Sequence, residues 1–275
     1  MVNVTFVQAG YIGSTTLIDA LLDERASRKG ISVRVISSGC KMDESEAEAA
    51  AKIAAQVPTD LYVAVSPSAG LPGPTKMREV LKETGKPIVV VSDEPSRKAL
   101  RKLPEEGIGY LVLYGDAMIG AKRPFLDPIE MALFNSDVIK VLSITGVFRC
   151  IYTELDKVIE QIAKGEKPVL PEIVVNKTTA LEYSGLNNPY ARAKAMAAFE
   201  AARKVASLDV EGCFKTQGAQ NYIPIVAAAH ELMRYAAILC DEAREIEKAN
   251  DSVERLVHWG DGSLRKKTEL MGKFE

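Results

Sequence analysis

Apolar positions along the chain fall into two rhythms that change near residue 115. Before it, short β-rich runs, Val2–Gln8, Ile31–Ile36, Leu61–Val65, Pro87–Val91 and Gly109–Leu113, have the length and β-branched content of strands. Between them lie stretches with apolar residues every three to four positions. These are Leu17, Ile18, Leu21 and Leu22 after Gly13, then Asp43–Ala55, Pro74–Lys82 and Pro95–Leu103. Strands alternating with helices predict a parallel, doubly wound sheet with right-handed crossovers.

Beyond the loop that follows Leu113 the helical rhythm takes over. It runs from Asp127 to Ala163 with a bend at Gly146, breaks at Pro168–Pro171, and returns over Pro189–Val205 and Ile225–Lys248. Glu172–Asn176 reads as one short strand. Val210–Lys215 and Asn221–Ile225, joined through Gln217-Gly218, read as a hairpin, and Trp259–Gly262 as a turn in a polar tail. The expected class is therefore α/β: a parallel doubly wound sheet domain over residues 1–126, then a helical region with a small antiparallel sheet over 127–275.

The chemistry-bearing segment is the loop between the rhythms, residues 115–128. It leaves the carboxyl end of a strand, where open α/β sheets bind ligands. It carries two glycines (Gly115, Gly120), the pair Lys122-Arg123, Phe125, and Asp127-Pro128, an N-cap carboxylate followed by proline at the first helical position. Connections here usually span two to six residues, so its length and charge suggest a role beyond joining two elements.

Bulk composition narrows the function. With 275 residues, 47% hydrophobic and 26% charged, the chain has the makeup of a soluble globular protein, and its formal net charge of −2 gives no sign of a nucleic-acid or membrane partner. No apolar run of membrane-spanning length is expected. Cys40, Cys150, Cys213 and Cys240 are scattered without ligand spacing, which fits a reducing cytoplasm and argues against a structural metal.

Gln8-Ala-Gly10-Tyr-Ile-Gly13, between strand and helix, has the placement of a dinucleotide-binding glycine motif, but Gln8 replaces the first glycine. After the second strand stands Ser37-Ser38-Gly39-Cys40 rather than the carboxylate that holds NAD ribose. A packing turn and a phosphate-binding turn both remain open for this segment. The proline-rich loop Ser66-Pro-Ser68-Ala-Gly70-Leu-Pro-Gly-Pro74 is equally a rigid turn or a polar binding loop. His230 and Arg234 share a helical face; a lone helical histidine more often makes a structural hydrogen bond. No serine or cysteine hydrolase motif is present.

Taken in order, Ala9–Gly13, Leu21–Arg25, Pro72–Pro74, Gly115–Gly120, Phe125–Pro128, Thr145–Arg149, Asn188–Ala191, Val210–Phe214 and Ala229–Arg234 form a combination of blocks across the chain. In these the sequence resembles the deazaflavin-dependent methylenetetrahydromethanopterin dehydrogenase family of methanogenic and related archaea. The resemblance implies reversible hydride transfer between methylenetetrahydromethanopterin and carbon 5 of coenzyme F420, a step of one-carbon metabolism and methanogenesis. It implies F420 as a dissociable cosubstrate, no metal, no bound flavin, and a homo-oligomer, typically a hexamer.

Under that resemblance, placement assigns expected roles. Asp116, Asp127 and His230 are catalytic candidates, the aspartates as acidic contacts for the cationic methenyl product. Gly10, Gly13, Ser14, Thr15, Ser66, Ser68, Gly70, Lys122 and Arg123 are candidates for the deazaflavin and its anionic tail. Phe125 and Arg149 are candidates for the pterin. Two other readings stay open. One is an NADP-dependent methylene-tetrahydropterin dehydrogenase, with Ser37, Ser38 and Lys41 near a 2′-phosphate. The other is a non-enzymatic, flavodoxin-like ligand-sensing protein that self-associates through the alanine-rich helix Ala191–Ala206.

Overall fold

The computed structural model describes residues 1–18, 26–117 and 124–275. Its strands β1 (Val2–Gln8), β2 (Ile31–Ser37), β3 (Leu61–Ser66), β4 (Ile88–Asp93), β5 (Gly109–Leu113) and β6 (Glu172–Val175) form a six-stranded sheet in the order β2-β1-β3-β4-β5-β6. Every pairing is parallel. β3 and β4 are buried along their whole length, which is why they read as continuous apolar runs. The edge strand β2 is mostly half-exposed, and its sequence alternates accordingly. The strand order reverses direction between β1 and β3, so the loops leaving these strands flank the topological switch point.

Helices α1 (residues 13–18 of those described), α2 (Glu44–Ala55), α3 (Pro72–Lys82) and α4 (Lys102–Glu105) accompany these strands. Asp43 caps α2 by accepting from the Glu46 N–H. The buried face of α2 is Ala47, Ala50, Ala51 and Ala54, and with Met77 and Leu81 of α3 it packs on Val7, Tyr62, Ala64, Ile88 and Val90. Small residues on that helix let its backbone approach the sheet closely. The helix expected over Pro95–Leu103 is instead a 3-10 turn, Glu94–Ala99, followed by the single turn α4. Pro104 falls in the first turn of α4, where the N–H it lacks has no intrahelical acceptor anyway.

The remaining helices are α5 (Pro128–Thr145), α6 (Val147–Ala163), α7 (Lys177–Tyr183), α8 (Pro189–Val210) and α9 (Ala219–Ala249). Gly146 separates α5 from α6 at φ +95°, where a Cβ would lie 2.1 Å from the Ala180 carbonyl oxygen. Ala191, Ala195, Ala198 and Ala202 line the buried face of α8, which packs along α9.

The hairpin expected across residues 210–225 is absent. α8 runs on into a π-helical turn, Glu211–Lys215, and α9 then starts after Gly218. The short run Asn221–Ile225 could not by itself distinguish strand from helix. The decisive signal is the helical spacing of the buried positions Tyr222, Val226, Ala229, His230 and Met233. The antiparallel pair lies instead in β7 (Arg255–His258) and β8 (Leu264–Lys267), around the turn at Trp259–Gly262. Contrary to the expectation of no such stretch, α9 is long and apolar enough to cross a membrane by length and composition; in this chain it packs against α8 and α5.

The described residues divide into two compact units. One comprises Met1–Leu113, Ile151–Val175 and His258–Ser263; the other comprises Tyr114–Cys150, Asn176–Val257 and Leu264–Glu275. The chain therefore passes between the units more than once, rather than only near residue 126, because α6 and β6 return it to the sheet.

Candidate functional site

At the switch point of the sheet unit, three turns are tied together by backbone hydrogen bonds. Ala9 N–H donates to Val65, Gly10 N–H to Gly39, and Ser38 N–H to the Gln8 carbonyl. Gly10 stands at φ +88°, and a Cβ there would come within 2.8 Å of both Met42 and Pro67. Only glycine fits, so packing alone accounts for this residue. Gly13, Ser14 and Thr15 are buried in the first turn of α1, and Thr15 Oγ1 accepts from the Ile12 N–H at 3.3 Å. Gln8, in the place of the missing motif glycine, is 4% exposed, and its Nε2 has no partner among the described residues. A buried amide donor left without an acceptor is the group such an edge would offer to a ligand carbonyl.

The loop after β3 is held from beneath. Ser92 Oγ donates to the Ser66 carbonyl at 2.5 Å, Ser96 Oγ accepts from Ala69 N–H at 2.7 Å, and Arg78 Nη1 donates to the Ala69 carbonyl at 2.7 Å. Burial lowers the Arg78 pKa from its usual value, the cost of placing a guanidinium among neutral carbonyls. Ser66 is buried, Ser68 half-buried and Gly70 exposed, so the loop presents its outer part from a fixed base. Neither Arg78 nor Ser92 was singled out in the sequence, where nothing links them to residues 66–70.

The side chains expected to suit NADP are engaged locally. Ser37 Oγ accepts from Gly39 N–H, Ser38 Oγ donates to the Lys41 carbonyl, and Lys41 pairs with Glu46 at 3.0 Å.

In the helical unit, His230 of α9 is 8% exposed. Its Nδ1 lies 2.8 Å from Glu130 Oε1 on α5, while its Nε2 has no partner among the described residues. Phe134 stacks on the imidazole at 4.3 Å between centroids, and Phe125 meets it edge-on at 5.1 Å. The structure thus joins two of the expected residues, Phe125 and His230, and adds Glu130, which the sequence did not mark. Arg234, one turn along, is exposed.

Asp127 Oδ1 caps α5 by accepting from Glu130 N–H at 2.7 Å, and its side chain is exposed. Asp116 is fully buried, just after Gly115, whose Cβ position would sit 3.6 Å from Ala202 of α8. Arg149 pairs with the Glu254 carboxylate and also donates to the Glu254 carbonyl at 3.1 Å. That carboxylate also takes Lys266, and together the two cations hold its pKa below the usual range against the opposing effect of burial. Lys122 and Arg123 lie outside the described residues. No group of three or more metal-ligating side chains occurs among the described residues.

The family model described as methylene-5,6,7,8-tetrahydromethanopterin dehydrogenase matches residues 2–275. The chain is 53% identical to an F420-dependent methylenetetrahydromethanopterin dehydrogenase of Archaeoglobus fulgidus, with 100% of both chains covered. It is 47% identical to the enzyme of the same description from Methanocaldococcus jannaschii, again with 100% of both covered. A solved structure of an F420-dependent methylene-tetrahydromethanopterin dehydrogenase, in complex with methylene-tetrahydromethanopterin and coenzyme F420, superposes with a TM-score of 0.96. That match has 43% identity and covers 100% of both chains.

Proposed function

The chain belongs to the methylene-5,6,7,8-tetrahydromethanopterin dehydrogenase family, and we propose that it catalyses reversible hydride transfer between methylenetetrahydromethanopterin and coenzyme F420. The products are methenyltetrahydromethanopterin and reduced F420. The observation that carries this reading is the end-to-end likeness, in sequence and in fold, to an enzyme solved with both of these ligands.

Coenzyme F420, when bound, supplies carbon 5 of its deazaflavin ring as the hydride acceptor. The residues at the switch point fit such a ring. Gln8 Nε2 is a buried donor without an acceptor among the described residues, and the pyrimidine edge of a deazaflavin carries carbonyl oxygens. Ser66, Ser68 and Gly70, braced by Ser92 and Arg78, give that face a fixed wall. The turn through Gly10, Gly13, Ser14 and Thr15 takes the phosphate and carboxylates of the tail.

For the pterin, Phe125 and His230 provide an aromatic and a polar contact, and Arg149 a cationic one. Asp116 and Asp127 favour the methenyl cation as charge develops. Hydride transfer between two bound organic partners asks the protein for positioning and electrostatics, not for a nucleophile. The chain works as a cytoplasmic homo-oligomer, a hexamer, with F420 exchanging at each turnover.

The test is an anaerobic spectrophotometric assay of purified protein with methylenetetrahydromethanopterin and, separately, F420, NADP or NAD. Loss of the oxidised deazaflavin absorbance with F420 alone is the expected result. Turnover with NADP instead would overturn the cofactor assignment.

A further inference from the structure

Glu130 occupies the third position of α5, behind the N-cap Asp127. An acidic residue there ordinarily turns back on its own helix, its carboxylate accepting from the N-cap N–H. In this chain Asp127 does its half of that exchange, accepting from Glu130 N–H at 2.7 Å. The Glu130 carboxylate, however, reaches across to α9, where Oε1 stands 2.8 Å from His230 Nδ1. A carboxylate offers only lone pairs, so the hydrogen of this bond belongs to Nδ1. The imidazole plane is fixed as well, by Phe134 stacked at 4.3 Å and Phe125 edge-on at 5.1 Å.

These contacts leave one atom over. Nε2 is buried and has no protein partner among the described residues. The side chain is 7% exposed, so bulk solvent does not satisfy it. A buried polar atom whose neighbours are all committed to orienting it is poised to meet a ligand.

We infer that Glu130 is a positioning residue that locks His230 in the Nδ1–H tautomer, so that Nε2 presents a lone pair to a ring N–H of a bound heterocycle. The inference rests on the proposed function for the identity of that heterocycle. Both the pterin and the deazaflavin carry ring N–H donors. The edge of Phe125 beside the imidazole suits a flat ring of either kind.

The chain has only two histidines, His230 and His258, so ¹⁵N-histidine labelling gives a spectrum that a His258→Gln variant assigns. In the ligand-free protein His230 should show a protonated Nδ1 and an unprotonated Nε2. Methylenetetrahydromethanopterin and F420 are then added separately, and one of them should move the His230 Nε2 resonance; which one moves it identifies the source of the N–H. Glu130→Ala should convert His230 to the Nε2–H tautomer. It should also raise KM for that same ligand by about tenfold, the cost of one lost hydrogen bond, while KM for the other stays within about twofold. Glu130→Gln keeps an acceptor oxygen and should restore both the tautomer and KM.

A merely structural Glu130 would lower the melting temperature of Glu130→Ala without separating the two KM values. An Nε2–H tautomer in the intact protein, or an Nε2 resonance indifferent to both ligands while the protein turns them over, would overturn the inference and leave the proposed function standing. Absence of turnover would instead strike the proposed function.

Discussion

Asp156 on α6 is 6% exposed and Asp209, at the end of α8, is 2% exposed, yet the two carboxylates live in opposite surroundings. Asp156 has a partner on each oxygen: Oδ1 accepts a hydrogen bond from Arg28 Nη1 at 3.0 Å, and Oδ2 lies within ion-pair distance of His258 Nε2, at 2.8 Å, without hydrogen-bond geometry. The other nitrogen of that imidazole is 2.6 Å from the Tyr152 hydroxyl. One carboxylate thus fastens the turn before β2, the middle of α6 and the end of β7. Asp209 continues the apolar stripe Ala198, Phe199, Ala202 and Val205 of α8, and neither of its oxygens has a partner among the described residues. Burial alone pushes its pKa up to about 8. Depth is therefore not what decides whether a buried charge is a joint or a burden. Partners decide it, because desolvation costs both groups alike and only Asp156 recovers it.

Removing the joint should have the largest effect. Asp156→Ala leaves the Arg28 guanidinium and the His258 ring buried with their acceptor gone, and should cost about 3–5 kcal/mol of folding stability. Chemical denaturation at neutral pH measures it. A loss below about 1 kcal/mol would mean that the network is open to solvent, and the contrast with Asp209 would weaken.

The second effect has the opposite sign and depends on pH. Between the ordinary carboxylate range and about pH 8, the unfolded chain has lost the Asp209 proton and the folded chain has kept it. Folding stability from this group is therefore complete in acid, falls as pH rises through that window by up to about 1.4 kcal/mol per unit, and levels off above it. Asp209→Asn removes the slope. The variant should differ little from the parent near pH 4 and be more stable by a few kcal/mol at pH 9. Parallel stability curves for the two proteins would show that Asp209 has an ionic partner in solution.

The same contrast separates what the sequence disclosed from what it did not. β3 and β4 were legible because strands buried on both faces read as unbroken apolar runs, and the half-exposed edge strand β2 because apolar and polar residues alternate along most of it. α5 was legible from Asp127-Pro128, whose capping role is local. The π turn was not, since Gly212 fits there for a tertiary reason: a Cβ would stand 2.8 Å from Val226 Cγ2 on the next helix. At the candidate site, His230 could be singled out by its helix. Its partner Glu130 lies 100 residues away, in a pattern that locally suggests only a helix cap. Gln8 was visible as a missing glycine, but that its buried amide nitrogen has no partner among the described residues emerges only from the fold. Arg28, Asp156 and His258 are isolated polar residues in sequence, and 128 positions separate the first two. Local periodicity reports which face is buried, and pairing between distant polar residues lies beyond it.

The smallest expected effect tests whether separation, rather than burial, sets the strength of a charge pair in this protein. Lys140 Nζ of α5 lies 2.6 Å from Asp241 Oδ2 of α9, a closer approach than Arg28 makes to Asp156. Its side chains are, however, 37% and 58% exposed, against 8% for each of the other pair. Water already solvates both charges in the unfolded chain and continues to do so in the fold, so little is gained by their meeting. Lys140→Ala should therefore cost less than about 1 kcal/mol, and part of that should vanish in high salt. If a double-mutant cycle over Lys140 and Asp241 instead returned a coupling of about 3 kcal/mol, distance would rank above burial, and geometry rather than desolvation would set the difference between Asp156 and Asp209.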